Sequence, residues 1–516
     1  MSRAVRTNRP VVLGAVKDLC FLLAGAAFVL GSAAHAQAAP HPSPDFVAFD
    51  RYVAQAAKNW HVPALAIAVV KDDSLVFARG YGVLEVGKAQ PANAHTRFAI
   101  GSTTKAMTSA ALAMLVDEGK IRWDGHVIDY LPEFQLYDAY ATRELTIRDL
   151  LTHRSGLGST DLLWAGFDYP LAEATRRLRY VRPASSFRSQ WDYQNNVYAI
   201  GGLIIERVSG MPWANFLRTR IFAPLGMTET EALVSEIRGK ANVAVPHAEQ
   251  HDTVRVVPIR STDDVAPAGS VWSSVTDMSK WMRFVLDSGR VGSQRLIKVE
   301  TFREIVAPQI RAPVEQYPAL SLARPSFFSY GLGWFVQDYQ GQPVWMHTGS
   351  IDGMSAIIGL LPQQRVGVYV LANLDHAELR HALMYSVFDL YEGGSTRDWS
   401  ADVRTLFATA NHGERVAAVR HAEIKPSLSL DHYAGTYADS TYGAIKVTLT
   451  NGVLHAQIGT DADVELEPWE YEQFRTRSTN ALLAGTPLVF VPDGMGGVSA
   501  VGVSGVSFAR ARGIPR

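Results

Sequence analysis

The sequence predicts an α+β fold: an antiparallel sheet flanked by helices, a helical subdomain beside it, and a small all-β barrel after them. Three observations predict it. β-like runs stand at both ends of the first 390 residues. A helix-rich, aromatic stretch lies between them. Beyond residue 429 the texture changes to short alternating segments. Strands at both ends with helices between imply one shared sheet and a helical insert.

Taken in order, the elements read as follows. Helical patterning runs from Asp45 to Lys58. Ala64–Val70 and Leu75–Tyr81 flank the turn chemistry of Asp72-Asp73-Ser74, so they form a hairpin. Ser102 to Glu118 is small, apolar and free of Gly and Pro, a buried helix closed by Gly119. The helical middle runs from Trp123 to Asp287 and includes Gly201–Val208 and Met211–Ile221. Strands return at Pro343–Thr348, Ser355–Leu361 and Val366–Leu371. The loops between them, Ser350–Gly353 and Pro362–Gln364, are short, so these strands are antiparallel neighbours. An amphipathic helix follows, Ala377–Leu390. Glu392-Gly393-Gly394-Ser395 marks a boundary. Gly443–Thr450 and Val453–Ile458 alternate around the hairpin turn Asn451-Gly452, and Leu488–Val491 and Val498–Phe508 add strands to a barrel. The expected division is a leader at 1–36, a main domain at 37–395, a linker at 396–428 and a β-barrel domain at 429–516.

Composition bounds the function. The chain has 516 residues, 47% hydrophobic and 19% charged, an ordinary globular balance. Its net charge is −1 and no basic stripe stands out, so no nucleic-acid partner is expected. Arg3, Arg6, Arg9 and Lys17 precede the apolar run Leu19–Ala34 and the small-x-small site Ala34-His35-Ala36. This reads as a secretory signal peptide, with a periplasmic or secreted mature protein. The apolar run is short of the roughly 20 residues a spanning helix needs, so no stable membrane span is expected after cleavage. The rival reading is an uncleaved anchor. The one cysteine, Cys20, lies inside that run. A mature chain without it has no disulfide, no thiol nucleophile and no Cys-based metal site. Removing four positive charges and one negative moves its net charge from −1 to −4.

Three short motifs carry candidate chemistry. Ser102-Thr103-Thr104-Lys105 opens the buried helix. Residues three apart share a helix face, so the Lys105 amine reaches the Ser102 hydroxyl. The helix N-terminus supplies partial positive charge and free N–H groups for an oxyanion. Alone the tetrapeptide says little, because Ser at a helix start is more often an N-cap. Tyr193-Gln194-Asn195 lies in a polar turn, where Tyr193 and Asn195 can both face a cleft. A phenol titrates near about 10, so it serves as base only if nearby cations lower that value. Taken alone, a partly buried tyrosine beside a turn-forming asparagine explains it better. His347-Thr348-Gly349 ends a β-like run. His347 there can supply a proton or a hydrogen bond, Gly349 admits substrate backbone, and the Ser350 N–H can point at an oxyanion. A satisfied sheet-edge histidine is the plainer alternative. The chain has neither G-x-S-x-G nor H-E-x-x-H. His247-Ala248-Glu249-Gln250-His251 is the nearest metal-like cluster, and Pro246 makes it a loop rather than a chelating helix.

The three motifs occur in order with other spaced signatures: Arg97–Gly101, Leu145–Leu157, Pro224-Leu225-Gly226-Met227 and Tyr330-Gly331-Leu332-Gly333-Trp334. Over residues 45 to 390 this resembles the serine β-lactamase-like superfamily of class C β-lactamases, D-aminopeptidases and family VIII-type esterases. The C-terminal module resembles the lipocalin-like domain of some of these hydrolases. The resemblance implies Ser102 as nucleophile, Lys105 as its neighbouring cation and Tyr193 as base and proton shuttle. It implies Asn195, with Thr348, Gly349 and Ser350, as substrate contacts. His347 stands where class C β-lactamases carry Lys, a cation that can hold down the tyrosine's pKa. A histidine is charged only part of the time. The D-aminopeptidases and some esterases carry His there, which tilts the reading from a dedicated β-lactamase towards a peptidase or amidase. The expected enzyme forms an acyl-enzyme on an amide or ester of a small molecule or short peptide. It needs no cofactor and no metal. The alternatives are a carboxylesterase or β-lactamase of the same superfamily, or a penicillin-binding sensor that is acylated but does not turn over.

Overall fold

The computed structural model describes residues 44–511 apart from 251–252, 393–396, 418–423, 460–462 and 479–483, and apart from the side chains of 409–417. The leader assigned to 1–36, Cys20 within it and His251 lie outside the described residues. Helix α1 (Phe46–Asn59) begins where Asp45 caps the N–H groups of Val47 and Ala48. Strands β1 (Ala64–Lys71) and β2 (Ser74–Gly82) form the expected hairpin. Helix α2 (Thr104–Asp117) is preceded by one 3₁₀ turn, Gly101–Thr103, so Ser102 sits on the tighter turn rather than in the α-helix.

The helical insert includes α3 (Asn195–Ser209) and α4 (Val275–Leu286). Asn195 is therefore the first residue of a helix, not part of a turn between helices. The sheet is completed by β3 (Ile310–Arg311), β4 (Phe328–Tyr330), β5 (Phe335–Tyr339), β6 (Gln342–Ile351), β7 (Met354–Leu361) and β8 (Val366–Ala372). Helix α5 (Leu379–Glu392) follows. The strand order is β2-β1-β8-β7-β6-β5-β4-β3, all antiparallel. The expected sharing of one sheet by the first and last strands is realised in the register Leu65↔Ala372 to Lys71↔Val366.

Alternation along the strands divides the interior in two. Ala64, Ala66, Ala68 and Val70 face a core that includes Met278 and Met282 of α4. Leu65, Ile67 and Val69 face a second core that includes Phe49 and Val53 of α1 and Leu383 and Val387 of α5. Covered on both faces, β1, β7 and β8 are apolar almost throughout.

Two boundaries differ from expectation. Strand β6 continues to Ile351, so His347 lies mid-strand in the interior of the sheet and the turn shrinks to Asp352-Gly353. Helix α5 is not amphipathic: Arg380, His381 and Asp389 are buried because each has a partner. After the helix Trp399–Ala417, the C-terminal strands form a closed eight-stranded antiparallel meander from Gly435–Asp439 to Val506–Arg510. It includes Val464–Glu470 and Gln473–Arg477, which sequence patterning did not reveal. Among the described residues no helix is long and apolar enough to cross a membrane.

Candidate active site

Three elements meet at Ser102. The first is the 3₁₀ turn at the head of α2, whose opening N–H groups lack intrahelical acceptors. Lys105, one turn further on, is fully buried. Its Nζ donates to Ser102 Oγ at 3.0 Å, to Asn195 Oδ1 at 2.7 Å and to the Ala268 carbonyl at 2.9 Å. Burial pulls the amine down to about 7, against the opposing pull of the Asp161 carboxylate. At neutral pH a large share of Lys105 is therefore unprotonated, able to take a proton from the serine.

The second element is the strand-like lead into α3. Tyr193 hydrogen-bonds Ser102, and the Lys105 Nζ lies 4.7 Å from its ring centre. Burial pushes its phenol well above 10, so it is protonated at neutral pH. Its resting state is a proton donor, not the phenolate that cations were expected to stabilise. His153 builds the turn around it. The His153 carbonyl accepts from Asp192 N at 2.8 Å, and its Nδ1 accepts from Gln194 N at 3.0 Å. The imidazole packs on the tyrosine ring at 4.3 Å between centroids.

The third element is β6. An added Cβ at Gly349 would lie 1.9 Å from the Ile100 carbonyl oxygen and 3.1 Å from Ser102 N, and one at Gly101 would lie 2.8 Å from Ser350 N. Only glycines let these two backbones approach so closely, and the approach brings the N–H groups of Ser102 and Ser350 to one place. Arg380 of α5 holds the strand, donating to the Gly349 carbonyl and to Ser350 Oγ, both at 2.7 Å. The Thr348 hydroxyl is engaged with the Tyr317 hydroxyl at 2.7 Å.

His347 differs from expectation. It is 1% exposed, and burial lowers its pKa to about 3. Both ring nitrogens are occupied: Nδ1 by the Thr348 carbonyl at 2.6 Å and Nε2 by the Tyr330 hydroxyl at 2.8 Å. Nδ1 can only donate to a carbonyl, so Nε2 accepts from Tyr330. The imidazole is thus neutral across the physiological range rather than intermittently charged. Its ring lies 6.4 Å from that of Tyr193.

The motifs thus converge on one site: Ser102, Lys105, Tyr193, Asn195, His347, Thr348, Gly349 and Ser350. A model of the β-lactamase family matches residues 49–390. The chain belongs to the β-lactamase family. Residues 419–510 match a second model, described as a domain of unknown function. An unguisins hydrolase, ungD, of Aspergillus violaceofuscus is 28% identical over 442 residues, covering 79% of this chain and 78% of its own. Penicillin-binding protein 4 of Amycolatopsis lactamdurans is 28% identical over 317 residues, 61% of this chain and 81% of its own. Among solved structures, the octameric penicillin-binding protein homologue from Pyrococcus abyssi superposes with a TM-score of 0.60 at 21% identity, over 90% of this chain and all of its own. This family member is a hydrolase with the β-lactamase and penicillin-binding-protein type of fold.

Residues that motif reading did not single out complete the site. Asp161 accepts from Asn195 Nδ2 through both oxygens at 3.2 Å and from Trp164 Nε1 at 3.0 Å. Preceding the short helix Leu162–Ala165, it looks in sequence like an N-cap, yet its side chain makes no cap bond. His153 and Tyr330 lay within quoted signatures, but nothing local marked their contacts. His247, by contrast, is structural: its Nε2 accepts from Val86 N at 3.1 Å and its Nδ1 meets the Asn373 carbonyl, in a strand, His247–Gln250, rather than a loop. No group of three or more metal-ligating side chains occurs among the described residues.

Proposed function

We propose that this chain is an exported serine peptidase or amidase of the D-aminopeptidase-like type, acting through an acyl-enzyme on Ser102. The observation that carries the reading is the 3.0 Å hydrogen bond between the buried Lys105 amine and Ser102 Oγ, in which the unprotonated amine accepts from the hydroxyl. Unprotonated Lys105 takes the Ser102 proton as Oγ bonds to the substrate carbonyl carbon. The N–H groups of Ser102 and Ser350 hold the oxyanion, each such donor being worth about 2.7–4 kcal/mol of barrier. Tyr193 passes its proton to the departing amine or alcohol as the carbon–heteroatom bond breaks, and is refilled from Lys105. Water then attacks the ester, giving its proton to the same Lys105–Tyr193 pair, and Ser102 leaves with a proton. Asn195, Thr348, Gly349 and Ser350 line the acyl group.

The neutral His347 favours this reading over a dedicated β-lactamase, because no cation stands at that position to pair with a substrate carboxylate. The likeness to a relative named for hydrolysing unguisins supports a hydrolytic role. A carboxylesterase shares every step up to the leaving group, and a panel of D-amino-acid anilides, p-nitrophenyl esters and a chromogenic cephalosporin separates the readings. Intact mass of the expressed protein after fluorophosphonate treatment tests the core of the proposal. One adduct is expected on a chain beginning at Gln37, and none on Ser102→Ala. An adduct that survives in Ser102→Ala removes the nucleophile, and a chain retaining residues 1–36 removes the export assignment.

A further inference from the structure

The C-terminal barrel presses on one stretch of the catalytic part, residues 161–169. Phe167, 5% exposed, stacks on Phe508 of the barrel at 6.0 Å and meets Tyr442 at 6.5 Å. Tyr169 donates its hydroxyl to the Tyr442 carbonyl at 3.1 Å. Arg177 donates to the Thr441 carbonyl at 2.9 Å while its guanidinium covers the Tyr169 ring at 4.0 Å. The contact includes backbone. An added Cβ at Gly459 would stand 2.1 Å from the Gly166 carbonyl oxygen, and one at Gly443 would stand 2.7 Å from the Tyr169 hydroxyl oxygen. Both glycines have positive φ, +59° and +102°. The barrel interior and the catalytic core form one continuous apolar cluster through these residues.

The same stretch reaches the active site from its other end. Trp164 packs with Ala268, the residue whose carbonyl accepts from Lys105, and bonds Asp161. Asp161 receives Asn195 Nδ2, and the Asn195 carbonyl oxygen receives Lys105 Nζ. Arg260 closes the frame, donating to the Ala165 carbonyl and forming a two-pronged pair with Asp352, just past β6, at 2.6 and 2.9 Å. Chains of packed side chains and hydrogen bonds of this kind carry coupling between sites.

We propose that the C-terminal barrel is a positioning element of the active site: it clamps residues 161–169 and so fixes Asp161, through which Asn195 and Lys105 are aligned on Ser102. The inference rests on the serine-hydrolase reading. It gives the barrel a task in the chemistry without placing any barrel residue against the substrate. The charged and titratable groups facing Lys105 are Asp161, His153, His347, Tyr193 and Tyr198. Asp161 is the one carboxylate among them and favours the protonated amine.

The test is the pH dependence of Ser102 labelling by a fluorophosphonate, in the full chain. Asp161→Asn removes the charge and keeps one oxygen to accept from Asn195 Nδ2 and Trp164 Nε1, so the midpoint of the acid limb falls. Gly459→Val lies on the barrel and drives a side chain into Gly166. It is expected to move the midpoint in the same direction and to slow labelling by up to about 100-fold, the penalty for roughly 1 Å of misplacement. Combined with Asp161→Asn, it should move the midpoint no further. Phe167→Ala, which removes the stacked ring without straining the barrel, makes the same measurement should Gly459→Val fail to fold. Gly459→Val or, in its place, Phe167→Ala that folds and labels with the wild-type rate and midpoint overturns the inference. A wild-type chain that takes no label at Ser102 overturns the enzymatic reading instead.

Discussion

Replacing Lys105 by Met tests the buried amine through stability, independently of any substrate. Burial brings the amine down to about 7 in the folded chain, from its ordinary value of about 10.5. Between those values the unfolded chain holds a proton that the folded chain has given up. Stability therefore rises with pH across that window, and below pH 7 the whole penalty, on the order of 5 kcal/mol, is present. Met removes the penalty but strands the acceptors Asn195 Oδ1 and the Ala268 carbonyl, each costing about 1–3 kcal/mol. The two effects nearly offset at neutral pH, so the decisive quantity is the slope. Denaturant unfolding of wild type and Lys105→Met, followed by tryptophan fluorescence from pH 6 to 9.5, should give a difference that is flat below about pH 7. Above it the wild type should gain about 1.4 kcal/mol per pH unit relative to the variant. Groups common to both chains cancel. A difference that stays constant from pH 7 to 9.5 would mean that Lys105 keeps its ordinary pKa, and the assignment of the lysine as neutral base would fall with it.

Two further outcomes follow from the packing. Gly349→Ala places a methyl group 1.9 Å from the Ile100 carbonyl oxygen, so β6 must retreat from the serine turn. Turnover should fall by on the order of 100-fold with modest change in KM, as read from steady-state kinetics. His153→Phe keeps a ring against Tyr193 but strands the Gln194 N–H. Denaturant unfolding should show a loss of about 1–3 kcal/mol, and kcat should fall more than KM rises.

Much of this could be read from the chain because the information was local. Ser102 and Lys105 are three apart on a helix start, and that spacing alone brings them together. The hairpin at Asp72-Asp73 and the β6–β7–β8 meander have short loops that leave one pairing open. What could not be read depends on remote partners. The neutrality of His347 comes from burial and from the Tyr330 hydroxyl 17 residues away. Helix α5 looked amphipathic because its buried charges appear polar until Glu378 and Trp399 are placed beside them. Asp161 imitates a helix cap, and only the arrival of Asn195 from α3 reveals its other role. The strand Val464–Glu470 escaped detection because just one of its residues, Leu466, is buried. With a single inward residue such a strand carries almost no alternation.

The pairing of β1 with β8 has a consequence for biosynthesis. The Ala64 N–H is bonded to the side chain of Asn373, 309 residues later. At about 5–20 residues per second, a ribosome that has delivered the first hairpin needs roughly 15–60 s more to deliver its neighbour. During that interval the edge of β1 that pairs with β8 stays open, a state prone to aggregation. The serine turn waits as well, since Gly349 and Ser350 emerge only shortly before β8. The nascent chain therefore cannot assemble its reactive centre until most of its length has been made. A hydrolase of this fold is in this way kept without its assembled centre, by its own topology, throughout most of its synthesis.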